Sequence, residues 1–413
     1  MHCFNKSLMA IALTSLLSGT ATADEAETKG GLKITSDDGN FSASLGGRIH
    51  FDTYLFDTDI EDPISTTDFR RARITLKGNI YDWGYVLEQD FTGGDTLSGY
   101  RDVFISHKFL NGEVRIGQLK PFRSMAEMTS SNELTMLERP FSSATGLYDG
   151  NQFQQGIGWT GVLDCFTLGM MAFNLRDAGT PRNEGVGAAG RLAWAPINTD
   201  EKTLHFGTYV SFENANRNSP DLIAEADYAG RRGPSQLMAL TPGNLGGDAT
   251  TAGLELAGSY GPLYLQAEYV IGGFEGDFFI SEEDYADDFG APAPFPCDPE
   301  FGCYIDNQTV HTWYVQGSWM LTGEHKAYSK KRGAFSSAKP SGDGLWGGAW
   351  ELTFRYDTME NRDYDFLEAS STTVGLNFYA NRNVRFMFNY IMGDDDFTGD
   401  NTDQFGIRAQ IGW

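Results

Sequence analysis

The residues with the most chemical potential are cations set close together. Arg70, Arg71 and Arg73 fall within four positions, and residues 326–339 hold Lys326, Lys330, Lys331, Arg332 and Lys339, five cations in fourteen residues. Charge that dense repels itself unless carboxylates or bound anions relieve it. Contact with small anions is one reading of both groups. The other is structural: Arg71 and Arg73 pair with carboxylates such as Glu88 or Asp90, and the 326–339 run is a solvated surface. Carboxylates also cluster: residues 275–306 contain ten and no lysine or arginine, with further groups at Asp57, Asp59, Glu61 and Asp62 and at Asp394, Asp395 and Asp396. Solvated loops are the plain reading. Binding of divalent cations, bridging to an anionic surface, is the sharper one.

Cys297 and Cys303 enclose Asp-Pro-Glu-Phe-Gly. In an oxidising compartment they are expected to staple that loop with a disulfide. Metal binding is the weaker reading, since no histidine lies between them. Cys165 reads as a small packing residue. Catalytic signatures fail on context. Gly185 to Gly190 matches G-x-G-x-x-G, yet no strand precedes it and an alternating strand, not a helix, follows. The histidines at 50, 107, 205, 311 and 325 lack ligand spacing, so no metal or cofactor is expected. A barrel lipase would need a serine and a histidine on the lipid face. His107 and His311 have that parity without an obvious serine beside them, so an enzyme is the disfavoured class.

The elements that must carry these residues follow from composition and period. The chain has 413 residues, 56 acidic and 31 basic, for a net charge of −25, with 49 glycines and 13% aromatics. Such acidity argues against a nucleic-acid partner, and 40% apolar residues argues against disorder. Lys6, the apolar stretch Leu8 to Leu17 and Ala21-Thr22-Ala23 form a secretory signal over residues 1–23. Beyond it, no apolar run is long enough for a membrane helix. Alternation with a period of two runs through the rest. Phe405, Ile407, Ala409, Ile411 and Trp413 share one face, and Gln404, Gly406, Arg408 and Gln410 share the other. Trp350, Leu352, Phe354 and Tyr356 oppose Glu351, Thr353, Arg355 and Asp357 in the same way.

Strands of that kind build either a soluble sandwich or a transmembrane barrel with a wet lumen. Aromatics crowding the strand ends, short turns alternating with long polar connections, and mixed charge on the polar face favour the barrel. Sixteen strands are expected, at about 41–56, 68–81, 83–92, 100–110, 112–119, 152–161, 164–174, 186–195, 203–213, 251–260, 262–274, 308–321, 348–357, 370–380, 382–392 and 402–413. The expected fold class is therefore all-β, an antiparallel transmembrane barrel over 41–413 with inward-folded loops, after a periplasmic segment at 24–40. By parity ten cations and nine acids face the lumen, among them Arg48, Lys77, Lys108, Arg115, Arg191, Arg355, Arg385 and Arg408.

Several segments resemble the phosphate-selective porin (O and P) family of bacterial outer membranes. They are Leu45-Gly46-Gly47-Arg48, Phe69-Arg70-Arg71-Ala72-Arg73, Val114-Arg115-Ile116-Gly117-Gln118, Thr129-Ser130-Ser131 and Leu137-Glu138-Arg139. Leu321-Thr322-Gly323-Glu324, Lys339-Pro340 and Gly348-Ala349-Trp350-Glu351-Leu352 follow in the same order. The resemblance implies a homotrimer in the outer membrane of a Gram-negative bacterium, in contact with its lipid and lipopolysaccharide. It also implies a third loop folded into the pore, here 119–151 with Lys120, Arg123 and Glu127, and constriction by a fifth loop at 214–250 and by the long turn at 322–347. Arg70 and Arg71 match an arginine pair on the family's permeation path. Two departures stand out. Glu127 occupies the place of a pore-loop lysine, and the fifth loop keeps only Arg217, Arg231 and Arg232 among several acids. The expected function is passive diffusion of small hydrophilic solutes with a preference for anions such as phosphate. The competing expectation is a weakly selective or cation-preferring pore.

Overall fold

A strand with one wet and one apolar face exposes unpaired edges, which hydrocarbon does not tolerate, so a sheet of such strands is stable there only when closed. This sheet closes. A computed structural model of the chain describes residues 23–27, 31–58, 63–93, 99–148, 150–176, 182–340, 342 and 344–413. The expected signal segment, up to residue 22, lies outside the described residues, as do Asp59, Glu61 and Asp62. The barrel strands are β1 (Phe41–Asp57), β2 (Thr66–Ile80), β3 (Trp83–Asp90), β4 (Tyr100–Phe109), β5 (Gly112–Leu119), β6 (Gln154–Leu163), β7 (Phe166–Asn174) and β8 (Val186–Asn198). They continue as β9 (Lys202–Ala215), β10 (Gly247–Tyr260), β11 (Leu263–Glu275), β12 (Gln308–Met320), β13 (Ala349–Asn361), β14 (Glu368–Tyr379), β15 (Val384–Asp395) and β16 (Asp403–Gly412). Each pairs antiparallel with the next, and β16 returns to β1 from Asp403 opposite Asp57 to Gly412 opposite Arg48. The sixteen strands match the expected segments to within a few residues.

β1 extends below the end of β16. There the segment Leu32–Ser36 takes over the vacated edge, with Leu32 opposite Leu45, and pairs in turn with Ala23–Glu27. Residues 24–40 are thus in part a hairpin added to the sheet. The seam is tight: Gly47 and Trp413 exchange both backbone hydrogen bonds at 3.1 Å. A Cβ on Gly47 would stand 2.5 Å from the Trp413 ring and 2.6 Å from the Arg73 carbonyl, so only glycine fits.

Side-chain direction follows the period. On β10, Leu254 and Leu256 are 63% and 47% exposed on the outer face, while Glu255 between them is 4% exposed inside. Rings line the outer face near the short turns. Phe166, Trp194 and Phe206 follow one another on β7, β8 and β9, and Trp350, Phe378 and Phe386 do so on β13, β14 and β15. That is the belt expected at a lipid–water boundary. The turns there are short; in one, Leu110 and Asn111 both have positive φ, 46° and 56°, a geometry that suits strand twist. At the opposite end the long connections pack together. A hairpin of Leu222–Ala226 with Gln236–Thr241 and a helix, Glu282–Phe289, bury Leu222, Met238, Tyr285 and Phe289 in one apolar cluster with Phe141 and Leu147.

Candidate functional site

Residues 120–148 leave β5 and lie inside the barrel, where their backbone groups need partners other than bulk water. The wall provides them. Arg355 donates to the Glu138 carbonyl at 2.9 Å, Arg385 to that of Leu134 at 2.9 Å and Arg408 to that of Leu137 at 2.6 Å. Asn377 and Gln410 reach the carbonyls of Thr135 and Asn132. Wall acceptors take the N–H groups: Asp357 that of Phe141, Asn389 that of Leu137, and Glu268 those of Met125 and Ala126.

Charge pairs complete the anchorage. Glu138 accepts from Arg70 at 2.7 and 2.9 Å and from Arg408 at 3.0 Å. Arg123, fully buried, pairs with Glu213, donates to the Asn151 carbonyl at 2.7 Å and lies 3.6 Å from the Tyr148 ring centre. Glu127 is also fully buried. Lys120 pairs with it at 2.9 Å, Gln152 donates at 2.7 Å and the Ala144 N–H at 3.1 Å. Burial opposes its ionisation, but Lys120 and Arg139 hold the carboxyl down at about 2. Glu127 therefore neutralises Lys120 from behind rather than presenting a negative charge to solute.

The long turn between β12 and β13 also enters the lumen. Tyr328–Ser329 pairs with Ala334–Phe335. Arg191, itself held at two points by Glu255, donates to the carbonyls of Arg332 and Gly333 at 2.9 and 2.7 Å. Lys326 is buried, pairing with Glu351 at 2.7 Å and donating to Thr135 of the inserted loop at 2.9 Å. Arg332 pairs with Glu133 at 2.5 Å, a second bond between turn and loop.

The basic residues singled out in the sequence thus take different positions. Arg70, Arg71 and Arg73 lie beneath the inserted loop. Arg73 pairs with Asp90 at 2.7 Å and Glu88 at 3.1 Å, as in the structural reading, whereas Arg71 is 2% exposed and lies 3.5 Å from His50 rather than against a carboxylate. Lys330 and Lys339 are exposed, with the Lys330 ammonium 3.4 Å from the Asp164 carbonyl. Cys297 and Cys303 are joined, with Cα atoms 4.2 Å apart. Cys165 is a free thiol. His107 bonds the Lys108 carbonyl and His311 the Tyr269 hydroxyl, neither of them a serine.

Among the described residues, a cavity of about 510 Å³ lies against the wall of β2 and β4 to β8. The wall contributes Lys77, Arg115 and Arg191, the loop Lys120, and the turn Lys331 and Arg332. Asp102 is the one carboxylate among its described lining residues. Lys77 and Lys331 are exposed, whereas Arg191 is buried against Glu255. Through Thr160 and Lys331 the cavity adjoins a space of about 600 Å³ at the short-turn mouth, where Lys108 and Glu113 sit on paired strands. Leu119, Phe122 and Met128 also line the cavity, and parity arguments missed them because two lie in the irregular loop. Their only sequence signal is apolar character within a segment otherwise rich in polar residues.

The model of a family described as phosphate-selective porin O and P matches residues 44–413. Porin O of Pseudomonas aeruginosa is 28% identical over 450 aligned positions, covering 98% of this chain and 96% of that protein. Among solved structures, the trimer form of OmpT from Vibrio cholerae superposes with a TM-score of 0.51 at 12% identity, over 90% of this chain and 99% of that one. The outer-membrane channel DcaP of Acinetobacter baumannii gives 0.50 at 12% identity, over 92% and 99%.

Proposed function

We propose, from the premise that the chain belongs to the phosphate-selective porin O and P family, that its passage prefers anions and accepts phosphate. The protein is an outer-membrane channel of a Gram-negative bacterium through which small solutes diffuse. One observation carries the anion preference: among the described residues lining the narrow cavity six are basic and one is a carboxylate, and Lys77 and Lys331 are the exposed cations. Within such a space, partly shielded from bulk water, a fixed charge acts on an ion far more strongly than at an open mouth. Lys77 and Lys331 arise from two different elements, so an anion crossing the cavity is offered successive contacts rather than one deep trap. Conduction needs that balance of attraction and release.

Acidic connections supply the argument for the competing reading. Glu282, Glu283 and Asp284 open the helix at the long-loop end, and such a mouth enriches cations. Screening confines that influence to about 8 Å at physiological salt, so the constriction decides selectivity. Three copies are proposed to assemble, in keeping with the trimer form of the Vibrio cholerae neighbour, with the apolar outer faces against lipid and lipopolysaccharide at the rim. No catalytic step is proposed, since permeation requires only a charged, wet path.

The test is the reversal potential of the protein in a planar bilayer under a KCl gradient, with phosphate then titrated in. An anion-selective potential and phosphate block of the chloride current are expected. A cation-selective potential without block would reject the reading in favour of control by the acidic loops.

A further inference from the structure

Phosphate alone does not account for the shape and lining of the cavity. At about 510 Å³ it lies in the range that holds organic ligands rather than a single inorganic ion. Its lining is also divided in kind. Leu119, Phe122 and Met128 contribute apolar atoms, the first two from largely buried side chains. Phe122 is placed there by a specific device: its ring lies on the wall at Gly169, where a Cβ would meet the ring carbons at 2.5 Å, and close to Gly158. Two wall positions without side chains thus let an aromatic ring occupy the passage side of the barrel. A pore built only for a hydrated inorganic anion gains nothing from apolar atoms there, because they offer the ion no replacement for lost water.

Arg115 adds a second feature. Its guanidinium stands 5.3 Å from the centre of the Phe104 ring, and Glu113 takes two of its N–H groups at 2.8 and 3.0 Å. An arene therefore lies beside the guanidinium and one of its edges is fixed, while the side chain lines the cavity. A plane held in that way can stack a flat, electron-rich partner, which a lysine ammonium cannot do.

We propose that this cavity is a subsite for amphipathic organic anions: a carboxylate or phosphate monoester carried on a flat apolar body, with the anionic group on Lys77 or Lys331 and the body between Arg115 and Met128. The proposal rests on the anion preference argued above and specifies the class of solute that the same cavity holds.

Benzoate and acetate separate the two ideas, because each carries one negative charge at neutral pH and only benzoate has the apolar body. In bilayers containing the full-length channel, benzoate is expected to block chloride current at a concentration about tenfold lower than acetate, the gain from burying part of one ring. Arg115→Lys, which keeps the charge and removes the plane, and Met128→Ser each lower that ratio. Equal block by the two anions, or a ratio unchanged in both variants, overturns the subsite while an anion-selective reversal potential still stands. A cation-selective potential removes the anion reading and the subsite together.

Discussion

Arg408 and Asp52 form a two-point ion pair across the seam where the last strand meets the first, Nε to Oδ1 at 2.7 Å and Nη2 to Oδ2 at 2.6 Å, both side chains fully buried. The same guanidinium caps the Leu137 carbonyl and touches Glu138. One side chain therefore ties barrel closure to the loop that narrows the lumen.

Replacing Arg408 by Met leaves Asp52 buried without its partner and Leu137 without its donor. Loss of one member of a buried pair costs about 3–5 kcal/mol. The temperature at which the folded barrel unfolds on semi-native gels is expected to drop. Single-channel conductance is expected to rise and become noisier as residues 134–138 loosen. Unchanged stability and conductance would show that the pair is dispensable.

Selectivity should follow the cavity rather than the count of basic residues. Lys77→Gln and Lys331→Gln each move the reversal potential toward cations, and the double variant moves it further. Lys339→Gln, at an exposed position outside the cavity lining, does not. An equal shift from all three would place the selective charge at the mouth.

The pH response of the inserted loop has a definite sign. Lys120 and Arg139 keep the Glu127 carboxyl at about 2, below its ordinary value of 4.5. Its stabilisation is therefore complete above 4.5, shrinks as the pH falls below that value, and is gone once the folded-state carboxyl protonates near 2. Glu127→Gln should lower the unfolding temperature at pH 7, and the gap to the parent should close as the pH approaches 2. A gap that stays constant with pH would mean that shape, not charge, holds the position.

Cys297 and Cys303 close a short loop, for which chain entropy gives about 2 kcal/mol. Reduction, or the double serine variant, should open residues 275–306 to protease while leaving conductance as it was. Loss of current on reduction would instead assign that connection to the permeation path.

The barrel was legible because lipid and lumen impose opposite demands on alternate residues, so β10 and β16 declare themselves by period alone. Parity also placed Arg355, Arg385 and Arg408 on the lumen side. It could not say what they touch there, since their partners are carbonyls more than 200 positions away in the chain. The same gap explains Arg70 and Arg71, which read as pore cations and lie under the loop. Glu127 was misleading in the opposite direction. As a residue type it is a negative charge in a pore loop, yet burial beside Lys120 removes it from the solute's view. Lys326 and Lys331 are five positions apart, one buried and one exposed, a difference that depends on the fold of the turn and on nothing local.

The anchorage of the inserted loop also fixes an order of assembly. The loop emerges after β5, but the arginines that hold its carbonyls at residues 134, 137 and 138 belong to β15, β16 and β13. Until the C-terminal quarter of the chain has taken its place, those carbonyls have no donors, and the segment has no fixed seat in the lumen. A barrel that has not closed is thus also one that cannot yet discriminate, so selectivity and completion of the wall arrive in the same step.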